Sequence, residues 1–312
     1  MMDTRGVRGM KLIAVFWGGL AGASLCAAQV VPAWQSAVAH AAKIAPQARI
    51  IVLDSATGRL VASSHLAEAA RTLAYPGSAM KPLILYGLVA GGRWDPSRRI
   101  ACSRELHIAG HALNCSHPPA AAMDARQALA WSCNTYFATV AATLGPGELR
   151  TLLAPTGLLG QTGLAGSLGN EATADFRDPQ TDDENTLALL GINGVRVTPL
   201  EFAVAYRWLA LQMAAHPETA AAQVVRAGLE DSASFGIAGA ADLGGVPVAG
   251  KTGTASTETS GHGPTHGWFI CIAPARQTSA IIVVYLPTGN GNDAAHVAAE
   301  LLAHSPLSQA KP

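Results

Sequence analysis

The sequence predicts an α+β protein, with a central antiparallel sheet flanked by helices and a helical subdomain inserted between its strands. Three observations carry this: two strand-like runs near the start, three near the end, and helix-compatible sequence between them. The chain has 312 residues, of which 49% are hydrophobic and 13% charged. That balance supports a large buried core and excludes a disordered chain. Formal net charge is +0 and no long basic stretch occurs, which argues against a nucleic-acid binder.

Arg5, Arg8 and Lys11 precede an apolar run over residues 12–28, and Cys26-Ala27-Ala28 offers small residues before Gln29. Residues 1–28 are thus expected to be an export signal or a retained N-terminal anchor, and residues 29–312 a single domain. Export places the protein in the periplasm or on the outer face of the cytoplasmic membrane.

Residues 30–45 are Ala-rich and predict a helix. Residues 49–54 and 59–63 predict strands, and Ser55-Ala56-Thr57-Gly58 supplies a hairpin turn. Pro76-Gly77 breaks the chain, and residues 78–90 then read as a helix closed by Gly91-Gly92. Residues 93–119 are irregular. Residues 123–144 are helical in composition and end at Gly145-Pro146-Gly147. Residues 157–183 read as a Gly- and Asp-rich loop, and residues 185–211 as two helices separated over residues 191–199. Residues 246–255, 267–273 and 279–286 are β-branched or aromatic runs and predict three sequential antiparallel strands. Residues 294–304 form a closing amphipathic helix.

Three short motifs carry chemistry. In Ser78-Ala79-Met80-Lys81, a serine and a lysine three apart share one helix face. A serine hydroxyl needs a base to become a nucleophile, and a lysine serves only when burial or another cation lowers its pKa. Ser132-Cys133-Asn134, within the helical stretch, offers a hydroxyl to relay a proton and an amide to hold substrate or lysine. Lys251-Thr252-Gly253-Thr254, on a strand, offers a cation and two hydroxyls for a carboxylate, with Gly253 admitting a substrate backbone. Each motif alone is common. The three in this order, roughly fifty and one hundred and twenty residues apart, are far more specific.

On these residues the chain resembles the transpeptidase domain of penicillin-binding proteins, in the serine penicillin-recognising acyltransferase family. Pro76-Gly77-Ser78-Ala79-Met80-Lys81-Pro82, Ala130-Trp131-Ser132-Cys133-Asn134-Thr135-Tyr136-Phe137 and Ala249-Gly250-Lys251-Thr252-Gly253-Thr254-Ala255 are similar to the family's three motifs. Gly191-Ile192-Asn193-Gly194, Val197-Thr198-Pro199-Leu200-Glu201, His266-Gly267-Trp268-Phe269 and Ala273-Pro274 are similar to stretches around them. The resemblance spans residues 49–304. It implies a β-lactamase/transpeptidase-like fold and acylation of Ser78 by D-alanyl-D-alanine stem peptides of peptidoglycan, or by β-lactam antibiotics. It also implies that Lys81 is the base, that Ser132 passes a proton to the leaving D-alanine, and that Asn134 holds the acyl side chain and Lys81. Lys251 would polarise Ser132, Thr252 and Thr254 would bind carboxylate, and the amides of Ser78 and Thr254 would form an oxyanion hole. It implies no cofactor and no metal for this chemistry. No glycosyltransferase domain and no long pedestal are seen, so a bare catalytic domain behind a signal or anchor is expected. A β-lactamase and a non-catalytic β-lactam sensor or scaffold remain as alternatives.

Cys102 and Cys115 are expected to form a disulfide, while Cys133 and Cys271, in apolar contexts, read as buried free thiols. Cys102, His107, His111, Cys115 and His117 match no common zinc spacing, so bystander histidines are preferred to a metal. His262 and His266 flank a Gly-rich turn and are expected to be solvated, with substrate contact as the alternative. Asp175, Asp178, Asp182, Asp183 and Glu184 read as a solvated acidic loop, and Glu184 is not a convincing activator of water.

Overall fold

The computed structural model describes residues 21–239, 246–258, 261 and 263–309, with side chains from Val31 to Ser308, Ser167 excepted. Most of the expected signal, residues 1–20, and His262 lie outside the described residues. The chain enters through α1 (Ala21–Ile44), followed by the hairpin β1 (Arg49–Asp54) and β2 (Leu60–Ser64) and the short α2 (Leu66–Ala69). A 3₁₀ turn at Gly77–Met80 runs into α3 (Lys81–Ala90). Two-residue strands β3 (His107–Ile108) and β4 (His111–Ala112) pair in the next segment. Then come α4 (Ala125–Ala130), α5 (Asn134–Ala141), α6 (Glu148–Leu153), β5 (Asp175–Phe176), α7 (Asp182–Leu189) and β6 (Val195–Arg196). The long α8 (Pro199–Ala215) and α9 (Ala220–Ser234) precede β7 (Ala249–Ser256), β8 (Thr265–Ala273) and β9 (Ala280–Leu286). α10 (Gly291–Ala303) and α11 (Pro306–Gln309) end the described chain. Among the described residues no helix is long and apolar enough to cross a membrane.

The five long strands make one antiparallel sheet in the order β2-β1-β9-β8-β7. The expected architecture of two early strands, three late ones and helices between is what forms. Side chains alternate across a strand, and the two faces sort accordingly. Ile50, Val52, Phe269, Cys271, Ile282 and Val284 face α1 and α10, against Trp34, Val38, Ala298 and Leu301. Ile51, Leu53, Ile270, Ile272, Ile281 and Val283 face the helical subdomain, against Met80, Leu83, Phe202 and Tyr206. Both faces are covered, which is why these strands read as continuous apolar runs.

The helical subdomain differs from the sequence expectation in two places. Residues 123–144 are not one helix. α4 starts on an Asp124 capping box and stops at Trp131, because Ser132 takes a left-handed conformation (φ 56°). α5 restarts with Cys133 as its N-cap. The motif containing Ser132 is therefore a turn between helices. α9, for which the periodicity gave no assignment, is capped by Thr219 and buries Ala222, Val225 and Leu229 at helical spacing. Residues 185–211 resolve into α7 and α8 as expected, and the latter opens on a Thr198–Glu201 capping box. Glu201 is buried there with its carboxyl pushed up to about 7 by burial, and it accepts hydrogen bonds from the Thr198 and Ala174 amides at 2.7 Å.

Candidate active site

The site forms where the 3₁₀ turn at Gly77–Met80 docks on edge strand β7. Gly77 lies at φ 53°, and its amide donates to Gly191 O at 2.9 Å. A Cβ on Gly253 would sit 2.5 Å from the Pro76 carbonyl oxygen, and one on Gly77 would sit 2.6 Å from that of Thr254. The chain can close this tightly only because both positions are glycine. Gly253 thus admits the protein's own nucleophile turn. The turn is braced from behind. Tyr206 Oη donates to Ala79 O at 2.8 Å, while Trp268 Nε1 and His266 Nε2 both donate to Tyr75 O, at 2.9 and 2.8 Å. His266 is consequently buried on β8, which starts at Thr265, and is not a solvated loop histidine. Burial lowers its pKa, so it stays neutral.

Ser78 and Lys81 lie one 3₁₀ turn apart, and the Lys81 amide donates to Ser78 O. Ser78 is half-buried; Lys81 is fully buried at the start of α3. Lys81 Nζ donates to Asn134 Oδ1 at 2.7 Å, to Ser132 O at 3.0 Å and to Ser132 Oγ at 3.3 Å. It also lies 5.0 Å from the centre of the Phe137 ring. Burial lowers the Lys81 pKa from 10.5 to about 8, against the opposing pull of Cys133 and Cys115. No hydrogen bond joins the Ser78 hydroxyl to Lys81 among the described residues. Such contacts are often long before substrate arrives.

Ser132 is presented to Lys81 by its left-handed backbone, a conformation that costs a non-glycine residue about 1 kcal/mol. Asn134 is fixed by its side-chain amide, which donates to Leu113 O at 2.9 Å and so turns Oδ1 toward Lys81. Lys251 is fully buried, and its ammonium donates to Thr252 O at 3.2 Å. Burial, then the charge of Lys81, holds its pKa well below the ordinary lysine value. The charge of Lys81 disfavours that of Lys251, so an anion bound nearby would restore it.

The two threonines are not equivalent. Thr252 is buried against Gly291, where a Cβ would come within 2.7 Å of Thr252 Cβ. Thr254 is exposed, and its Oγ1 accepts from the Gly291 amide at 2.8 Å, which leaves its own proton free to donate. Of the expected carboxylate pair, Thr252 is the buried member and Thr254 the exposed one.

All three motifs therefore converge: Lys81 bonds Ser132 and Asn134, its charge acts on Lys251, and Gly77 and Gly253 lock the Ser78 turn onto β7. The acidic stretch takes no part in it. Asp178 pairs with Arg150, Asp175 pairs with Arg196, and Glu184 accepts from the Gln180 amide at 2.7 Å near the start of α7. Cys271 is a buried free thiol, as expected. Cys102 and Cys115 are not bonded to each other. They gather with Cys133 and His117, while His107 and His111 stay outside the group. The convergence on Cys133 is a tertiary fact that no spacing along the chain announces.

A Ser-x-x-Lys turn is thus docked on the edge strand of this antiparallel sheet, with a Ser-x-Asn turn facing its lysine. The chain belongs to the penicillin binding protein transpeptidase domain family, whose family model matches residues 48–305. A search of curated proteins finds no match. Among solved structures, a chain from a peptidoglycan synthase complex aligns with TM-score 0.70 and 21% identity, covering 90% of this chain and 61% of that one. Pseudomonas aeruginosa PBP2, solved with WCK 5153, aligns with TM-score 0.69 and 20% identity over 87% of this chain and 75% of its own. The transpeptidase domain of Burkholderia pseudomallei penicillin-binding protein 3 gives TM-score 0.71 and 20% identity over 89% and 92%. The protein is thus of transpeptidase type, and at these identities the structural likeness speaks to fold.

Proposed function

We propose that the protein is an exported serine D,D-transpeptidase or D,D-carboxypeptidase that acts on D-alanyl-D-alanine stem peptides of peptidoglycan and is acylated by β-lactams. The observation that carries the proposal is Lys81: fully buried, one turn from Ser78, and hydrogen-bonded to both Ser132 and Asn134. Ser78 Oγ attacks the carbonyl of the penultimate D-alanine and gives its proton to neutral Lys81. The carbonyl oxygen collects negative charge against the amides of Ser78 and Thr254. When the C–N bond breaks, the proton returns through Ser132 Oγ to the departing amine of D-alanine. The terminal carboxylate docks on the Thr254 hydroxyl and restores a full charge on Lys251. An amine of a second stem peptide, or water, then attacks the ester and frees Ser78.

Among the described residues no carboxylate hydrogen-bonds Ser78, Lys81, Ser132, Asn134 or Lys251. That favours a slow reaction with water over a β-lactamase, which needs an activated water beside the ester. The basic, apolar N-terminus supports export, to the periplasm if the signal is cleaved or to the outer face of the cytoplasmic membrane if it is kept as an anchor. The test is incubation with a stem-peptide ester and a D-amino acid amine, with products separated by mass. An amide joining peptide and amine supports transpeptidation, and the free acid alone supports carboxypeptidation. Release of neither product contradicts the proposal.

A further inference from the structure

We infer that Cys102, Cys115, His117 and Cys133 form a tetrahedral zinc-type metal site, which staples the irregular segment 93–119 to the Ser132-Cys133-Asn134 turn and so positions Asn134. The four donor atoms all lie within 4.8 Å of one another. Cys115 Sγ and Cys133 Sγ are 3.9 Å apart, and Cys102 Sγ and His117 Nε2 are 3.4 Å apart. A zinc tetrahedron with Zn–S of about 2.3 Å and Zn–N of about 2.0 Å has S···S edges of roughly 3.8 Å and S···N edges of roughly 3.5 Å. One S···S edge and one S···N edge of the group therefore already match a Cys₃His coordination shell. A disulfide, with S–S of about 2.05 Å, would use two of the sulfurs and leave a third thiol and a buried imidazole without a role.

The surroundings suit metal ligands. His117 is 2% exposed, and its Nδ1 donates to Pro118 O at 2.7 Å. That bond fixes the tautomer and leaves the Nε2 lone pair aimed at the sulfurs, which is the second-shell arrangement of metal-bound histidines. The Asn134 amide donates to Cys115 Sγ at 3.2 Å and the Tyr136 amide to Cys133 Sγ at 3.5 Å. Backbone donors of this kind stabilise thiolate charge. All four ligands come from the protein, so the site is a closed, structural one with no position for substrate.

The segment that supplies three of the ligands needs such a staple. Its regular structure is one pair of two-residue strands and the isolated bridge of Ile100 with Met123, little to hold a loop of this length. The same segment supplies Leu113 O, which orients the Asn134 amide, and Cys133 lies between Ser132 and Asn134. Closing the metal shell therefore fixes both the turn and the carbonyl that aims Asn134 at Lys81. This positioning role rests on the proposed function; the metal site itself does not.

The test begins with the full chain purified under reducing conditions, its metal counted by plasma mass spectrometry and its zinc then exchanged for cobalt(II). The expected result is about one zinc per chain, with cobalt showing thiolate charge-transfer and tetrahedral d–d bands. Cys102→Ser and His117→Ala should each weaken metal binding at least about tenfold. Stripping zinc from the wild type should slow acylation by saturating penicillin, and returning zinc should restore it. If the variants fail to fold, the wild-type metal count and cobalt spectrum still decide the site. A metal-free chain without cobalt bands, or a disulfide among these cysteines in peptide mapping, overturns the site. Bound zinc whose removal leaves acylation unchanged overturns the positioning role.

Discussion

Raising the pH from 7 to 9 should speed acylation of Ser78 about tenfold, because Lys81 serves as base only when neutral. With its pKa lowered from 10.5 to about 8, about a tenth of Lys81 is neutral at pH 7 and about nine-tenths at pH 9. An ordinary lysine at pH 7 would be neutral in about three molecules per ten thousand, so burial raises the active fraction roughly 300-fold, equivalent to about 3 kcal/mol. The groups facing Lys81 are Lys251, Cys115 and Cys133. The first-order acylation constant should therefore be measured with a fluorescent penicillin at saturation, where the bound carboxylate keeps Lys251 charged. The rate should climb about tenfold per unit below pH 7 and level off above pH 9. Lys81→Arg should be inactive throughout, since a guanidinium stays protonated. Stability carries the same sign: between pH 8 and 10.5 the unfolded chain binds the lysine proton more tightly, so the cost of burying Lys81 is relieved as pH rises. A flat profile from pH 6 to 9, or full activity in the arginine variant, would refute lysine as the base.

Two backbone positions give further tests. Ser132 at φ 56° should make Ser132→Gly about 1 kcal/mol more stable than Ser132→Ala in urea denaturation, while both lose the hydroxyl and acylate slowly. Equal stability of the two would mean the left-handed turn is not retained. Gly253→Ala would set a Cβ 2.5 Å from Pro76 O, so the variant should lose about 1–3 kcal/mol of stability and shift the Ser78 turn. A displacement near 1 Å should slow acylation on the order of a hundredfold. Unchanged kinetics would show that the contact does not set the position of Ser78.

The sheet was legible because its strands are buried on both faces. Ile50-Ile51-Val52-Leu53 and Ile281-Ile282-Val283-Val284 admit no helical periodicity with a polar side. The catalytic motifs were legible because their chemistry is written in local residue types. What escaped was set by tertiary contact. Ser132 looked helical because nothing in Ala130-Trp131-Ser132-Cys133 announces a left-handed residue; the turn is imposed by where Lys81 and the segment above it sit. Thr252 and Thr254 look alike in sequence and share one face of β7, yet the start of α10 packs over Thr252 and leaves Thr254 open. His266 gave no sign that Tyr75 O, far away in the chain, would be its partner. Cys102 and Cys115 invited a disulfide because Cys133, hidden inside a catalytic motif, was not counted with them.

The central claim is that Ser78 forms a covalent ester that outlasts its encounter with water, and one measurement reaches it directly. The protein is mixed with a chromogenic cephalosporin while colour and intact mass are followed, with Ser78→Ala in parallel. The account predicts a burst of about one equivalent, a persistent adduct on the peptide containing Ser78, a slow steady rate afterwards, and neither burst nor adduct in the alanine variant. An adduct on Ser78→Ala, or sustained turnover of many equivalents per second without an accumulating adduct, would contradict it.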